Sequence, residues 1–200
     1  MSLNKSVEGL LGVLEKKTGK TRDELGFAPG ASEKDLDALA SKLPKFPNEL
    51  RQMLAIINGQ NDKTPILPTA RLHSAEEILA EWEDLCENVD EETFGDEYQD
   101  EDKVKLFNAT KLWIPLAWDY EAGGGVYHYI DLDPGPEGEV GQVIQAQSEC
   151  DFQVLTSNLT VMFENIARCF DKGTLRLEPA ERGKFSLFWD TDEYWELVGT

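Results

Sequence analysis

The spacing of apolar residues changes halfway along this chain, and no other feature of the sequence restricts its fold as strongly. Before residue 90, apolar residues recur every three to four positions, as on one face of a helix. Between residues 113 and 155 they alternate with polar residues, as in strands joined by short turns, which indicates antiparallel pairing. Because helices and strands occupy separate parts of the chain, the sequence predicts an α+β fold rather than a parallel doubly wound sheet.

Helical spacing predicts four helices before the strands and one after them. Their apolar stripes cover residues 7–14, 36–43, 50–57, 78–89 and 159–170. Ser74 and Glu77 have the spacing of a capping box, which places the start of the fourth helix. Asn58-Gly59 suits the left-handed conformation that ends helices, so we expect the third helix to end there.

Alternation predicts four strands between these helices and two weaker strands near the carboxyl terminus. The strong segments are residues 113–117, 126–132, 140–146 and 152–155, and the weak ones are 175–177 and 185–189. Together with the helices on either side, they predict a twisted antiparallel sheet of about four to six strands that is bracketed by helices.

Length and composition predict one main domain with a segment at each end. Of the 200 residues, 1–29 are expected to form an N-terminal helix and linker, and 30–173 the α+β domain. An acidic insert at 90–102 has few apolar anchors and is expected to be an exposed, mobile loop. Residues 174–200 are rich in aromatic side chains and are expected to form a C-terminal extension that packs on the same domain.

The charge of the chain restricts its partners. It has 39 Asp and Glu against 19 Lys and Arg, a formal net charge of −20, and 40% of its residues are hydrophobic. This hydrophobic content is enough for a packed core, so most of the acids must lie on the surface of a folded protein. A strong negative potential repels nucleic-acid backbones and anionic membranes. The composition therefore favours a basic protein as partner and argues against direct binding of nucleic acid or of a membrane surface.

The wide spacing of the cysteines and the absence of a long apolar stretch indicate a cytoplasmic protein. Cys86, Cys150 and Cys169 are widely spaced, so they predict neither a disulfide framework nor a CxxC metal or redox site. No apolar stretch approaches the roughly 20 residues that a membrane-spanning helix needs, and the amino terminus lacks the apolar core of a signal peptide. A reducing cytoplasm is the simplest compartment.

The sequence offers weak support for catalysis. His128 alternates with apolar residues and is expected to be a buried, hydrogen-bonded residue. His73 ends a predicted strand and is expected to be a structural polar residue. No phosphate-binding loop and no nucleophile with a neighbouring base is recognisable, so no cofactor is predicted. One alternative stays open, in which Asp119, Asp131 and Asp133 hold a divalent metal in a hydrolase or nuclease. The calcium-loop pattern is missing, so no metal site is predicted.

One strand carries a pattern typical of a protein interface. In residues 126–133, alternation places two tyrosines on the same face as two aspartates. Tyrosine supplies rigid apolar area with a hydroxyl group, and neighbouring acids select basic side chains. Either this face binds a partner or the aromatic C-terminal extension covers it, and the pattern fits both. The candidate partner-binding residues are Trp118, Asp119, Tyr127, Tyr129, Asp131 and Asp133.

The order of several short motifs resembles that of the SUKH superfamily. In chain order they are Leu43-Pro44, Asn58-Gly59, Trp113-Ile114-Pro115-Leu116-Ala117 and Tyr129-Ile130-Asp131-Leu132. The resemblance covers about residues 30–170, and the segment from Leu72 to Trp82 is similar to the branch of the fungal cell wall assembly regulator.

This resemblance implies an α+β fold with a twisted antiparallel sheet and a non-enzymatic role in binding other proteins. The superfamily includes the fungal regulator and many bacterial immunity proteins that neutralise toxins, often nucleases. Two roles are therefore implied, an immunity-type protein that neutralises a basic toxin or a regulatory scaffold related to cell wall synthesis. The resemblance implies no catalytic residue, and neither it nor the composition indicates an oligomeric state.

Overall fold

The computed structural model describes residues 2–68, 70–89, 97–106, 110–119, 125–147 and 151–191, together with residues 194, 198 and 199. Of Asp119 it describes the backbone alone. The described helices are α1 (Leu3–Thr18), α2 (Glu33–Lys42), α3 (Asn48–Leu54), α4 (Ala75–Glu87) and α5 (Leu159–Lys172). The described strands are β1 (Phe27–Pro29), β2 (Ile57–Gln60), β3 (Ala70–Leu72), β4 (Tyr98–Gln99), β5 (Val104–Lys105), β6 (Trp113–Asp119), β7 (Val126–Asp131), β8 (Gln142–Gln147), β9 (Asp151–Thr156), β10 (Leu175–Pro179) and β11 (Phe185–Trp189).

A five-stranded sheet forms the centre of the fold. Its strand order is β3-β6-β7-β8-β9, and all neighbouring strands are antiparallel. Trp118 lies opposite Tyr127, and Asp131 lies between Trp113 and Gln142 in the ladder. The predicted α+β fold with an antiparallel sheet between helices is confirmed, because four of the five strands, β6 to β9, come from the four segments that alternate in sequence.

One face of the sheet packs against the helices and forms the main core. In this core α1 packs along α5, with Leu10 and Leu14 of α1 and Phe163 of α5 fully buried. The β10–β11 pair packs on the same core, and the backbone N–H of Phe185 donates a hydrogen bond to the carbonyl of Lys63 at 2.7 Å. The described parts of both terminal segments therefore share one hydrophobic core with the residues between them.

The opposite face of the sheet, which we call the outer face, carries a second core. Its buried members are Val104, Leu106, Trp113, Tyr129, Ile144, Ala146 and Phe152. The segment that contains β4 and β5 covers this face together with Leu85 of α4. Gln99 Oε1 accepts a hydrogen bond from the Phe152 backbone N–H at 2.8 Å. Asp100 Oδ2 accepts one from the Val154 backbone N–H at 2.7 Å, so both side chains protect the edge strand β9.

Two sequence-based expectations about this region need correction. Residues 97–102 of the acidic insert form a strand and turn that hydrogen bond to β9, because Val104 and Leu106 anchor this segment in the second core. Glu97, Glu101 and Asp102 are exposed as expected, but Gln99 and Asp100 are half-buried and bonded to β9, and residues 90–96 lie outside the described residues. The described part of the C-terminal extension does not cover the outer face, because β10 and β11 pack on the main core.

The start of α4 has the predicted capping box. Ser74 Oγ accepts a hydrogen bond from the Glu77 backbone N–H at 3.2 Å, and Glu77 Oε2 accepts one from the Ser74 N–H at 2.8 Å. The prediction for Asn58-Gly59 is wrong, since α3 ends earlier and the pair lies in β2. Gly59 has a φ of +89°, and a Cβ there would lie 2.7 Å from the Ser74 nitrogen. The pair instead lets β2 approach α4, where Asn58 Oδ1 accepts a hydrogen bond from the Ala75 N–H at 2.8 Å.

Three further expectations concern single residues and membrane association. His128 is buried, as predicted, with 1% of its surface exposed. Cys86 is half-buried and Cys169 is buried, and Cys150 lies outside the described residues. Within the described ranges, no helix is both long and apolar enough to cross a bilayer.

Candidate functional site

A stack of aromatic rings crosses the outer face and ends at a cleft. The Tyr129 ring lies between those of Tyr127 and Trp113, with centroid distances of 6.1 and 5.5 Å and interplanar angles of 16° and 27°. Phe152 extends the stack beyond Trp113, with 4.9 Å between the centroids. Trp113 and Tyr129 are buried, whereas Tyr127 is half-buried. The stack therefore orders the Tyr127 ring at the surface before any partner arrives.

The cleft lies between α4 and strands β6 and β7, and we call it the α4 cleft. Its volume is about 210 Å³, and its polar and aromatic lining consists of His73, Glu81, Asp84, Asn88, Tyr127 and Tyr129. Glu81 lies four residues after Glu77, and Asp84 lies three residues after Glu81. These spacings place the three acids on one side of the helix. Ile78 and Leu85 form the apolar stripe of the same helix and pack against the two cores. The packing of this stripe fixes the acids at the edge of the tyrosine stack.

Negative charge exceeds positive charge around the α4 cleft. Arg71 pairs with Glu77 at 2.7 Å, whereas Glu81 and Asp84 form no ion pair within the described part of the chain. Burial raises the pKa of Glu81, the charges of Asp84 and Glu77 raise it further, and Arg71 opposes them. A cation in the cleft would relieve this repulsion, so the cleft favours a positively charged ligand.

His73 lines the same cleft, directly after β3. Its side chain is buried, with 2% exposed, and its Nδ1 has no hydrogen-bond partner among the described residues. Burial lowers the pKa of His73 to about 4, while the charge of Glu77 acts in the opposite direction. The imidazole is therefore neutral at pH 7 and keeps an unused hydrogen-bonding nitrogen.

A larger cavity of about 760 Å³ lies between the β1–β2 pair and the start of α4. Arg71 pairs with Glu77 and Asp62 pairs with Lys184, and the remaining charged residues of the lining, Asp23, Lys63 and Glu76, are of both signs. The cavity is also more open to solvent than the α4 cleft. We therefore regard the α4 cleft as the better candidate, although it is smaller.

The structure brings together part of the predicted site. Trp118 is half-buried beside Tyr127 across β6 and β7, and its Nε1 has no hydrogen-bond partner in the described ranges. Tyr127 and Tyr129 both line the α4 cleft, although Tyr129 is only 9% exposed. The side chain of Asp119 lies outside the described residues.

The two other predicted residues lie at the far end of β7 and are engaged within the protein. Asp131 is fully buried, and its carboxylate accepts hydrogen bonds from the Asp133 N–H and from Gln142 Nε2, both at 2.9 Å. Asp133 is half-buried and pairs with Lys105 at 2.6 Å. The expectation that Asp131 faces a partner is corrected by its burial, because the carboxylate joins β7 to β8.

These contacts also bear on the metal-dependent alternative. Among the residues whose side chains are described, no group of three His, Cys, Asp or Glu is arranged to hold a metal ion. Both oxygens of Asp131 accept hydrogen bonds within the protein, and Asp133 is paired with Lys105. No observation therefore favours a hydrolase or nuclease that uses Asp119, Asp131 and Asp133.

Sequence reasoning missed three residues of the cleft, namely His73, Glu81 and Asp84. The spacing of the two acids on α4 is a readable signal, because it places them beside Glu77 and away from the water-facing Glu83 and Glu87. No comparable signal marks His73, since its neighbours in space come from α4 and β6.

The buried Asp131 predicts a measurable pH dependence of stability. Burial raises the pKa of Asp131 from 3.8 to about 6, against the effect of its hydrogen bonds from Asp133 and Gln142. The folded state therefore binds more protons than the unfolded chain between these values, so this stabilisation is present at low pH and is lost as pH rises through about 6. Asp131→Asn cannot titrate. We expect its free energy of unfolding, relative to the wild type, to increase by about 2 kcal/mol from about pH 4 to about pH 7.

Urea denaturation followed by circular dichroism at the two pH values measures this difference. His73 acts in the opposite direction, because its lowered pKa makes stability fall as pH drops from 6.5 towards about 4. Since both proteins contain His73, its contribution cancels in the comparison. A difference between variant and wild type that is equal at both pH values would contradict the role given to Asp131.

Comparison with known proteins agrees with the fold. Residues 30–165 match the model of the family described as SMI1 / KNR4 (SUKH-1). A curated relative from Schizosaccharomyces pombe, named cell wall biosynthesis/cell cycle regulator smi1, is 33% identical over 132 residues. The match covers 58% of this chain and 26% of the relative, so the chain spans about a quarter of the length of that protein. The matched range contains every residue of the α4 cleft.

Proposed function

The chain belongs to the SMI1/KNR4 family (SUKH-1), and from this premise we propose that it is a non-enzymatic, acidic module that binds a basic protein. The α4 cleft is the observation that carries this proposal. It combines two carboxylates without a described ion-pair partner, Glu81 and Asp84, with the ordered ring of Tyr127. Carboxylates beside a fixed aromatic ring are a typical surface for a basic side chain.

The charge of the whole chain supports the same proposal. A net charge of −20 attracts a basic partner from a distance and accelerates encounter at low ionic strength. The cleft then supplies the short-range contacts that a general negative potential cannot provide. Nucleic acid and membrane surfaces are not proposed as partners, because their phosphates would be repelled. We place this activity in the cytoplasm.

Two biological roles are consistent with this mode of binding. One is an immunity-type protein that neutralises a basic toxin, since nuclease toxins need cationic surfaces for their substrate. The other is a regulatory scaffold related to cell wall synthesis, which the name of the S. pombe relative supports. The two roles differ in the partner, which is a toxin in the first case and an endogenous protein in the second.

Affinity capture tests this proposal with the full chain as bait in native lysate of the source cells. We expect a basic protein to be retained at about 0.1 M salt and released at about 0.5 M, because the screening length falls from about 10 Å to about 4 Å. Binding must then be reproduced with the purified partner. The identity of that partner separates the toxin from the endogenous regulator. Absence of a specific partner at either salt concentration, or an acidic partner whose binding resists salt, would contradict the proposal.

A further inference from the structure

We infer that the α4 cleft binds the guanidinium group of an arginine side chain from the partner, held between Tyr127, Glu81, Asp84 and His73. This inference rests on the proposed function and makes it more specific, because it names the side chain that enters the cleft. The argument depends on the size of the cleft, its charge and the unused nitrogen of His73.

The size of the cleft fits a single long side chain. Its volume is about 210 Å³. Small-molecule sites are usually larger, at about 300–1,000 Å³. A folded segment of a partner cannot enter such a cleft, whereas one extended side chain from the partner's surface can.

The charge of the cleft requires a cation. Along α4, Glu77, Glu81 and Asp84 place three carboxylates on one side, and Arg71 is the described cation that pairs with one of them. Glu81 is partly removed from water, so its charge interacts more strongly with a ligand than a fully exposed carboxylate would. An entering cation would occupy a position that no described side chain of this protein fills.

His73 provides a second and independent indication of a ligand. A buried imidazole nitrogen without a partner destabilises a folded protein, so most such groups are paired. The neutral ring does not repel a cation, and its nitrogen lone pair accepts a hydrogen bond from a guanidinium N–H. The ring lines the cleft, so a ligand there would complete the hydrogen bonding of His73 once the ring turns its Nδ1 toward the cleft.

The geometry favours arginine over lysine. A guanidinium group is planar, stacks on an aromatic face and has five N–H donors, which suit two carboxylates and an imidazole at once. An ammonium group has three donors, is strongly hydrated and does not stack. Tyr127 is the ring positioned for this stacking, since it is half-buried at the cleft and held by Tyr129.

Titration of the full chain with a blocked arginine, Nα-acetyl-arginine N-methylamide, tests the inference directly. Two-dimensional NMR would follow the His73 ring and the Tyr127 ring, and we expect saturable shifts with a millimolar dissociation constant. Blocked citrulline, which has a similar shape without the charge, and blocked lysine are the comparison ligands. We expect citrulline not to saturate and lysine to bind at least threefold more weakly than arginine.

Substitutions in α4 and at His73 test which side chains of the cleft bind the blocked arginine. Glu81→Gln should weaken the binding of blocked arginine about five- to tenfold, because it removes one charge-assisted contact. Glu87→Gln on the water-facing side of the same helix is the matched control and should change it less than twofold. His73→Leu should weaken binding at least threefold while the melting temperature stays equal or rises, since an unpaired buried nitrogen is removed.

Several results would overturn the inference: no saturable shift with blocked arginine, equal binding of citrulline, lysine binding as strong as that of arginine, or an equal effect of Glu81→Gln and Glu87→Gln. An unchanged affinity in a folded His73→Leu variant would also overturn it. None of these results affects whether a basic partner is captured from lysate, so the proposed function can stand while the arginine assignment fails.

Discussion

We expect replacement of Trp113 by alanine to lower the free energy of unfolding by about 3–5 kcal/mol. Trp113 is 2% exposed and lies at the centre of the second core, in contact with the rings of Tyr129 and Phe152. Its removal would leave a cavity between the sheet and the β4–β5 segment, and the neighbouring rings can fill it only in part. Because Tyr129 in turn supports Tyr127, the variant should also lose order at the α4 cleft.

Urea denaturation followed by circular dichroism measures this effect without relying on tryptophan fluorescence. Trp113→Phe keeps an aromatic ring in the stack and should recover more than half of the lost stability. Phe188→Ala is the control for loss of an aromatic residue, since Phe188 is 42% exposed in β11, and it should cost less than about 1 kcal/mol. A loss below about 1 kcal/mol for Trp113→Ala would show that the second core is not packed as described.

The sequence predicts the elements of this fold better than it predicts their packing. An apolar period reflects which side of an element is buried, and the observed burial follows the predicted pattern in α1 and α5. In β7 and β8 most residues on both faces are buried, because both faces of the sheet are covered. The Ser74 capping box is equally local and was predicted together with its partner Glu77. These features need information from only a few neighbouring residues.

Long-range packing explains the expectations that fail. The alternation of β7 correctly places Tyr127, Tyr129 and Asp131 on the face away from the main core. It cannot show what covers that outer face. That covering comes from Val104 and Leu106, which follow an acidic segment whose composition resembles a solvated loop. The buried side chains of Val104 and Leu106 hold this acidic segment against the sheet.

The candidate site shows the same difference between local patterns, which the sequence predicts, and long-range packing, which it does not. Tyr127 and Tyr129 are predicted from alternation within one strand, whereas Glu81 and His73 join them through the crossing of α4 over the sheet. That crossing depends on the contact between Leu85 and the second core, which no local pattern specifies. Asp131 is expected on the binding face because it is charged. It is instead buried, and its carboxylate accepts a hydrogen bond from Gln142.

Charge reversal in the α4 cleft should have the largest effect on binding. We expect the double substitution Glu81→Lys and Asp84→Lys to weaken the affinity for the basic partner by at least about 100-fold, because like charges at an interface cost several kcal/mol. The matched variant carries Glu83→Lys and Glu87→Lys on the water-facing side of α4, where Glu83 forms a long, exposed ion pair with Lys42 at 3.9 Å that contributes little stability. Both variants have the same net charge, so long-range attraction is reduced equally and only the local contacts differ.

Folding of both double variants is checked first, by circular dichroism and thermal melting. We expect similar melting temperatures, because the substituted side chains lie at the cleft or on the outside of α4 and not in either core. A pair of variants with equal stability and different affinity would separate the cleft from the general charge of the protein.

Isothermal titration calorimetry of the purified partner at about 0.1 M salt, with the wild type and both double variants, tests the central claim most directly. The account predicts a dissociation constant at least about 100-fold higher for the cleft variant and within about fivefold of the wild type for the water-facing variant. Equal weakening by the two variants, or full affinity in the cleft variant, would contradict the claim that this protein recognises its partner through the α4 cleft.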